Sequence, residues 1–286
     1  MIEPPFFVFI MKLINKALSI YLDPRYRIPM ASAGLSYYLT MTLFPIIILL
    51  YSMLGNSYDA AMRFISYFSE LLPGDTVEYI GKFLSYISGN HSTLMILFAC
   101  SVILITASAA LRSLQITIGY MQGGEMARGF AFFLMSIGMS LAFVLLIYMG
   151  IIALFFGENL IALINRYTTF FHLEYYWIYL RFVLLFIVVF VILVLIYLMC
   201  RGKKNGYNVI PGAFLATVAL IAVSWFFAIF INQSSKYPIV YSSLSGAIIL
   251  MFWLYCCCVS IYAGAIVNIA LRDLKKEKQR AGSGIV

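Results

Sequence analysis

Residues 33–45 read AGLSYYLTMTLFP, a run that begins a hydrophobic stretch and yet contains a glycine, a proline and three aliphatic hydroxyls. A helix that only anchors a protein in a bilayer does not need such residues. Because hydrocarbon offers no water to polar groups, the hydroxyls of Ser36, Thr40 and Thr42 are expected to face other helices or a wet cavity. The run therefore indicates a membrane span that belongs to a bundle of helices.

The composition of the chain places it among integral membrane proteins. Of its 286 residues, 64% are hydrophobic and only 10% are charged, and the mean hydropathy is +0.99. Soluble domains have roughly 45–50% apolar residues, and a helix needs roughly 20 apolar residues to cross a bilayer core of about 30 Å. Six stretches meet this requirement, at residues 31–55, 92–111, 130–157, 176–200, 209–231 and 242–270. The predicted fold is an all-α integral membrane protein, a six-transmembrane-helix bundle in a single membrane domain over residues 1–286.

The basic residues are distributed unevenly between the two sides of this bundle. Fourteen of the 19 lysines and arginines fall before span one, between spans two and three, between spans four and five, or after span six. Four fall on the opposite side, and Arg181 lies within span four or at its rim. The positive-inside rule therefore predicts that both termini are cytoplasmic. The net charge of +8 is explained by this topology and by attraction to anionic lipid headgroups, so it does not predict a nucleic-acid partner.

Residues 1–29 are expected to form a helix in the cytoplasmic interface. The segment from Phe6 to Tyr21 is apolar except for four polar side chains that share one helical face. They are Lys12, Asn15, Lys16 and Ser19. Such a helix lies in the interface with its aromatic side at the acyl boundary. The alternative is a seventh, partial span; a signal peptide does not fit, because the basic region and the cleavage site are absent.

The connection between spans one and two predicts two short amphipathic extracytoplasmic helices. Apolar residues recur at helical spacing on both sides of the turn at residues 72–75. Asp75 and Glu78 fit a capping box at the start of the second of these helices. Their apolar faces lie either on the bilayer surface or over the bundle. The charged residues 271–286 are expected to form a basic cytoplasmic tail.

The residues suited to metal or acid–base chemistry are scattered along the chain. Three of the five cysteines are consecutive, at 256–258, and consecutive helical residues point about 100° apart, so they cannot chelate one metal. His91 and His172 lie in separate external connections. Hydrolysis of RNA needs clustered carboxylates or histidines, or a paired acid and base, and the acidic residues of the cytoplasmic side are dispersed. We therefore predict no metal site, no cofactor and no enzymatic activity.

A polar interior can be assembled from helix geometry. In span one, Ser36 and Thr40 follow one stripe, and Tyr38 and Thr42 lie on the adjoining stripe. Pro45 removes one backbone hydrogen bond and is expected to kink the helix. Span six carries a stripe of small residues suited to close helix approach, formed by Cys256, Ser260, Gly264 and Asn268. Ordinary helix packing is the alternative explanation for each stripe.

Two places suit an anionic headgroup. Arg112 and Gln115 share a face with Ser108 at the cytoplasmic end of span two. Arg181 lies within span four, where an ionised side chain costs about 2.5–3.5 kcal/mol at the bilayer centre. Its long stem either snorkels to the interface or belongs to a site for an anionic lipid or substrate. The polar groups expected to face that site and to line the cavity at the external mouth of span six are Tyr237, Tyr241 and Ser243.

Several motifs, in order along nearly the whole chain, give a resemblance to a known family. They are the run at 33–45, LPGD at 72–75, SAALRSLQ at 108–115, PGA at 211–213, and YPIVYSSLSG at 237–246 leading to WLY at 253–255. On these motifs the chain resembles the YihY/BrkB family of bacterial inner-membrane proteins, formerly called ribonuclease BN. The family's last span typically ends in Gly-Ala-Glu-x-Asn, whereas residues 264–268 read GAIVN, so the acidic residue is absent.

The resemblance implies a six-span bundle in the bacterial cytoplasmic (inner) membrane with a role in the envelope. Members have been linked to serum resistance and to the movement of lipid-linked envelope precursors, and the ribonuclease name is widely regarded as a misassignment.

Two functions fit these expectations. The first is an envelope transporter or flippase-like protein that takes an amphipathic, anionic lipid-type molecule into a cavity between spans one, two, five and six. No energy-coupling element is visible, because the chain has no P-loop and no acidic residue within the six spans. The second is a non-transporting membrane scaffold or lipid-binding protein that supports envelope assembly with a protein partner. A continuous polar cavity favours the first, and dry packing of Ser36, Thr40 and Asn268 favours the second.

Overall fold

The computed structural model describes seven ranges of the chain. They are residues 5–53, 81–82, 93–123, 137–138, 173–201, 206–234 and 242–282. Every regular element within these ranges is helical. The helices are α1 (Pro5–Leu22), α2 (Ile28–Met53), α3 (Thr93–Met121), α4 (Leu173–Cys200), α5 (Ile210–Ser234) and α6 (Ser242–Gly282).

A tight turn around Asp23 separates α1 from α2. The Asp23 carboxylate accepts a hydrogen bond from the backbone N–H of Arg25 at 3.0 Å and another from its guanidinium at 2.6 Å. These hydrogen bonds hold the pKa of the Asp23 carboxyl below its usual value. Arg27 follows with a φ of 47°, in the left-handed region that non-glycine residues adopt mainly in turns. The helix restarts at Ile28, which is fully buried.

Helix α3 is longer than the second predicted span, which ends at residue 111. Its buried apolar side chains continue at helical spacing beyond that position, so the helix keeps an inward face to its last turn. They are Leu111, Leu114, Ile118 and Met121. The helix is followed by Gly123, which has a φ of 71°. This left-handed conformation commonly ends a helix and costs a glycine little conformational energy.

Helix α6 contacts four of the other described helices and also extends beyond its predicted span. It runs beyond residue 270 to Gly282, because residues 271–280 contain no glycine or proline and are rich in Leu, Lys, Glu and Arg, which favour helix. It packs against α5, α2 and α1, and to a smaller extent against α3. Its buried side includes Tyr262, Ile266 and Ile269. The apolar Ile266 therefore occupies core space at the position where the resemblance leads one to expect an acidic residue.

Within the described ranges, four helical segments are long and apolar enough to cross a membrane. They are Ile96–Met121, Val183–Cys200, Ile210–Phe230 and Ile248–Arg280. Helix α2 has the length of a span as well, with 26 residues. Large apolar side chains face outward, among them Phe98, 68% exposed, and Trp225, 60% exposed. An apolar outer surface on apolar helices is what a lipid environment requires, so the all-helical membrane class is confirmed, and the count of six spans stays a prediction.

Three predicted features lie wholly or mostly outside the described residues. They are the third span at 130–157, the two short helices between spans one and two, and the last residues of the basic tail, 283–286. Helix α1 falls within the predicted segment 1–29, and its position in the membrane interface stays a prediction.

Candidate functional site

The side chain of Asn268 joins α6 to the first turn of α5. It is 1% exposed. Its Oδ1 accepts a hydrogen bond from the N–H of Gly212 at 2.7 Å, and its Nδ2 donates one to the carbonyl of Val209 at 3.0 Å. The first N–H groups of a helix have no partner within that helix, so Asn268 caps α5 from a neighbouring element. Asn208 caps the same turn from its exposed side, because its Oδ1 accepts the N–H of Ile210 at 3.0 Å.

Two glycines allow the backbones of α5 and α6 to approach this closely. A methyl group at Gly212 would lie 2.5 Å from the Cγ of Asn268. One at Gly264 would lie 2.6 Å from the hydroxyl of Tyr197 and 2.7 Å from the methyl of Ala216. These distances are shorter than side chains tolerate. The close helix approach predicted for the small-residue stripe of span six is confirmed, and it brings Asn268 within hydrogen-bonding distance of α5.

The described parts of the connection between α4 and α5, residues 201 and 206–209, are held in place by polar contacts. Gln122, at the end of α3, donates from Nε2 to the hydroxyl of Tyr207 at 2.9 Å and to the carbonyl of Cys200 at 3.2 Å. Arg201 donates from Nη1 to the carbonyl of Tyr207 at 2.8 Å. Burial raises the pKa of Tyr207 to about 12, so its hydroxyl stays protonated at neutral pH. The ends of α3 and α4, the start of α5 and the C-terminal half of α6 thus meet at one end of the bundle, which we call the basic end.

A cavity of about 290 Å³ opens at the basic end, between the α4–α5 connection, the first turn of α5 and the last turns of α6. We call it the basic-end cavity. Among the described residues, its lining includes three cationic side chains and no carboxylate. The cations are Arg272, Lys275 and Lys276. They share a face of α6 with Asn268, because positions 268, 272, 275 and 276 recur at helical spacing. Tyr207 lines the opposite side.

Arg272 is the most buried cation of this cavity, with a side chain only 10% exposed. One edge of its guanidinium, formed by Nε and Nη2, contacts Oδ1 of Asp273 at 2.8 Å. The guanidinium carbon lies 5.8 Å from the centre of the Tyr207 ring, a cation–π distance. Nη1 is inaccessible to solvent and has no hydrogen-bond partner in the described part of the chain. A buried donor without an acceptor costs about 1–3 kcal/mol, and more when it is charged.

The hydroxyls of α2 that were predicted to line a polar cavity have partners inside the protein. Ser36 donates to the carbonyl of Ala33 and Thr40 to that of Ser36, each at 2.8 Å. The hydroxyls of Thr42 and Thr106 lie 3.0 Å apart and join α2 to α3. Back-bonding of this kind is common for hydroxyls in apolar helices. The cavity between the spans stays a prediction.

The other predicted residues are placed as follows. Tyr38 is half-buried against the apolar core, and α2 continues through Pro45 to Met53, so the kink stays a prediction. Arg112 and Gln115 are half-buried on α3, and neither lines the basic-end cavity. The Nε of Arg112 donates to the carbonyl of Ser108 at 3.3 Å. Four predicted positions lie outside the described side chains, namely Arg181 in α4, Ser243 in α6, and Tyr237 and Tyr241.

The cationic residues of the cavity are not among the predicted site residues. From the sequence, the only role predicted for these residues, Arg272, Lys275 and Lys276, is to mark the tail as cytoplasmic. A usable signal was present, because Arg272 and Lys275 or Lys276 extend the stripe of Gly264 and Asn268 at helical spacing. Nothing in the sequence indicates that the α4–α5 connection folds over the same face.

Potential metal ligands do not gather within the described ranges, where no group of three His, Cys, Asp or Glu side chains comes together. All five cysteines are free thiols, and Cys258 is fully buried in the apolar core. Such burial is typical of cysteines that pack as small apolar residues. His91 and His172 lie outside the described residues.

Comparison with known proteins identifies a family and several relatives of the chain. The sequence profile of the family described as Virulence factor BrkB matches residues 25–284, a segment that contains α2 to α6. The chain is 23% identical over 248 residues to the ribonuclease-like protein YfkH of Bacillus subtilis (strain 168), which covers 86% of this chain and 90% of that protein. It is 34% identical over 58 residues to a UPF0761 membrane protein of Xanthomonas oryzae pv. oryzae (strain PXO99A), which covers 20% of this chain and 14% of that protein. No solved structure matches the chain significantly.

Because the profile spans nearly all of the sequence, and because the motifs along the chain indicate the same family, this protein belongs to the YihY/BrkB family of membrane proteins.

Proposed function

We propose that this protein binds and handles an anionic, lipid-type molecule in the bacterial inner membrane, with the headgroup at the basic end. The single observation that carries this proposal is the combination, at one end of the bundle, of an exposed apolar stripe on α1 with exposed cations on α6. An amphipathic anion is the class of molecule that complements both surfaces. By the positive-inside rule this end faces the cytoplasm.

The exposed stripe of α1 supports membrane contact. It consists of five large apolar side chains at helical spacing, each 51–64% exposed. They are Phe7, Met11, Ile14, Leu18 and Leu22. In water such a stripe is unfavourable, whereas in the boundary between headgroups and acyl chains it is typical of an interfacial helix.

The other side of α1 is docked on α6. Lys16 forms an ion pair with Glu277 at 2.8 Å, and Ile20 and Tyr21 pack against the core. The hydrogen bond to Glu277 raises the pKa of Lys16, so the pair persists at neutral pH. Four further cations are exposed nearby on α6. They are Lys275, Lys276, Lys278 and Arg280, and each basic residue near an anionic surface contributes about 1 kcal/mol.

Retention of the lipid is favoured over its movement across the bilayer. The hydroxyls of Ser36 and Thr40 bond to carbonyls of their own helix, and Asn268 is engaged as a cap. This packing supports a lipid-binding protein that takes part in envelope assembly with a protein partner. A transporter or flippase-like protein is the second candidate, and the contact between the hydroxyls of Thr42 and Thr106 favours it, because it places polar groups between two spans.

Lipid analysis of the purified protein tests the proposal. The full-length protein is extracted in a mild detergent, and its co-purified lipids are compared by mass spectrometry with those of an unrelated six-span protein from the same membranes. We expect selective enrichment of one anionic or polyprenyl-linked lipid. Recovery of the bulk lipid mixture from both proteins would contradict the proposal.

Reconstitution separates retention from movement. The protein is inserted into vesicles that contain a fluorescent analogue of the enriched lipid, and the fraction of analogue accessible to a membrane-impermeant quencher is followed over time. If the protein only retains the lipid, the analogue should exchange between the leaflets at the same rate as in protein-free vesicles. Faster exchange would establish the flippase-like candidate instead.

A further inference from the structure

We propose that the basic-end cavity is a binding site for a phosphate group, with Arg272 as its central ligand and Lys275 and Lys276 at its mouth. This inference deepens the proposed function, on which it rests for the lipid nature of the ligand. The shared chemistry is a phosphate group, which belongs either to a lipid headgroup or to a soluble phosphate. The two sources are separated by the experiment below.

Arg272 lines the cavity and keeps one hydrogen-bonding nitrogen without a partner among the described residues. Asp273 occupies the edge formed by Nε and Nη2, which fixes the plane of the group and leaves Nη1 turned away from the carboxylate. Nη1 has no acceptor among the described residues, and because it is buried, a ligand oxygen reaches it only after the atoms that cover it shift. A phosphate oxygen is the acceptor that arginine binds most strongly, through a charge-assisted hydrogen bond.

The surroundings of Arg272 add positive potential. Lys275 and Lys276 line the same cavity, and no carboxylate is among the described residues that line it. The cavity also adjoins the first turn of α5, a helix of 25 residues whose positive dipole end favours an anion. The N–H groups of Ile210 and Gly212 are already engaged by Asn208 and Asn268, so the hydrogen bonds to the ligand come from side chains.

The size of the cavity restricts the ligand. A volume of about 290 Å³ is at the lower limit of small-molecule pockets, which are roughly 300–1,000 Å³. It admits a phosphate with a small substituent and excludes the acyl chains of a lipid. A lipid ligand would therefore keep its chains in the membrane and insert only its headgroup.

Binding measurements on the full-length protein in nanodiscs of phosphatidylcholine test the site. The probes are dioctanoyl phosphatidic acid, dioctanoylglycerol, inorganic phosphate and glycerol 3-phosphate, and binding is followed by native mass spectrometry and by the shift of thermal unfolding. The test variant is Lys275→Gln/Lys276→Gln, which removes two exposed cations of the cavity. Its control is Lys12→Gln/Lys82→Gln, which removes two exposed lysines that do not line the cavity. Arg272→Gln removes the central ligand.

We expect Lys275→Gln/Lys276→Gln and Arg272→Gln each to weaken binding of the phosphate probe about ten-fold, in line with the loss of a charge-assisted hydrogen bond, whereas the control variant changes it less than about two-fold. Should Arg272→Gln fail to fold, the lysine pair and its control still decide the question. If the lysine variant and its control bound the phosphate probe with equal affinity, the proposed site would be contradicted.

The probes decide the source of the phosphate. Binding of phosphatidic acid that depends on the two lysines, without binding of inorganic phosphate or glycerol 3-phosphate, identifies a lipid headgroup. If the soluble phosphates bind in a lysine-dependent manner and the lipid is not preferred, the phosphate site is supported, and the proposal that it binds a lipid is contradicted. If an anionic lipid is enriched in the purified protein but the lysine variant binds the phosphate probes normally, the proposed function is supported and the phosphate site is contradicted. Dioctanoylglycerol is the control without phosphate and should not bind in a lysine-dependent manner.

Discussion

Asn268 illustrates how one buried amide holds two helices in register. Its two hydrogen bonds match the geometry that a side-chain amide requires, since the oxygen meets an N–H and the nitrogen meets a carbonyl. The N–H of Gly212 has no other partner available in the first turn of α5. Asn208 serves the same helix start from an exposed position. The two residues therefore allow a buried cap and an exposed cap to be compared on one helix.

Alanine at these two positions should have unequal effects. Asn268→Ala leaves the buried N–H of Gly212 without an acceptor and creates a void, and we expect the free energy of unfolding to fall by about 2–4 kcal/mol. Asn208→Ala should lower it by about 1 kcal/mol, the usual value for an exposed N-cap. Chemical unfolding of the detergent-solubilised protein measures both. Equal losses would show that Asn268 does not act as the buried cap.

At the scale of elements, the packing of α5 on α6 depends on glycine at the contact. The stripe of small residues in α6 was predictable from sequence spacing. Its partner, Gly212 in the first turn of α5, was not predictable as such, because nothing in its own helix requires a glycine there.

Alanine substitution of glycines tests this contact. Gly264→Ala places a methyl 2.6 Å from the Tyr197 hydroxyl, so the helices must separate, and we expect a loss of about 1–3 kcal/mol or more in the free energy of unfolding. Gly34→Ala is the matched control, because a methyl at that position of α2 meets nothing within 4 Å. The control should be neutral or stabilising by up to about 1 kcal/mol, since alanine favours helix over glycine. Thermal unfolding in detergent distinguishes the two, and similar midpoints would argue against a glycine-dependent contact.

Helix α1 is held on α6 mainly by apolar packing. The ion pair between Lys16 and Glu277 is exposed, with side chains 34% and 59% accessible, and exposed pairs contribute little. We expect Lys16→Gln to change the free energy of unfolding by less than about 1 kcal/mol. Ile20→Ala, which removes a side chain packed against the core, should cost about 1–3 kcal/mol. The same unfolding measurement compares them, and a larger effect for Lys16→Gln would assign the docking to the ion pair.

At the scale of the whole molecule, contacts among the ends of α3, α4, α5 and α6 gather the basic residues at one end of the bundle. The positive-inside rule predicts that this end is cytoplasmic. The segment between residues 55 and 92 is predicted on the opposite side of the membrane. These two predictions concern different ends of the molecule, so one labelling experiment tests them together.

Cysteine labelling in intact spheroplasts measures the orientation. We expect Lys278→Cys to react with a membrane-impermeant maleimide only after the membrane is permeabilised. Asn90→Cys should react before permeabilisation, because its segment is predicted to be external. The unmodified chain provides the background of its five native thiols. The reverse pattern of labelling would invert the topology and move the basic end outside the cell.

The sequence by itself determined the membrane class, the helical character, the candidate spans that the structure describes and the family. It could do so because hydrophobic length, charge asymmetry and helical spacing are local properties of the chain. It also indicated the close-packing stripe that ends at Asn268. Tertiary structure alone decided that Asn268 caps another helix and that Tyr207, Arg272 and two lysines surround one cavity. These residues lie on separate helices and connections, and only the folding of α5 against α6 brings them together.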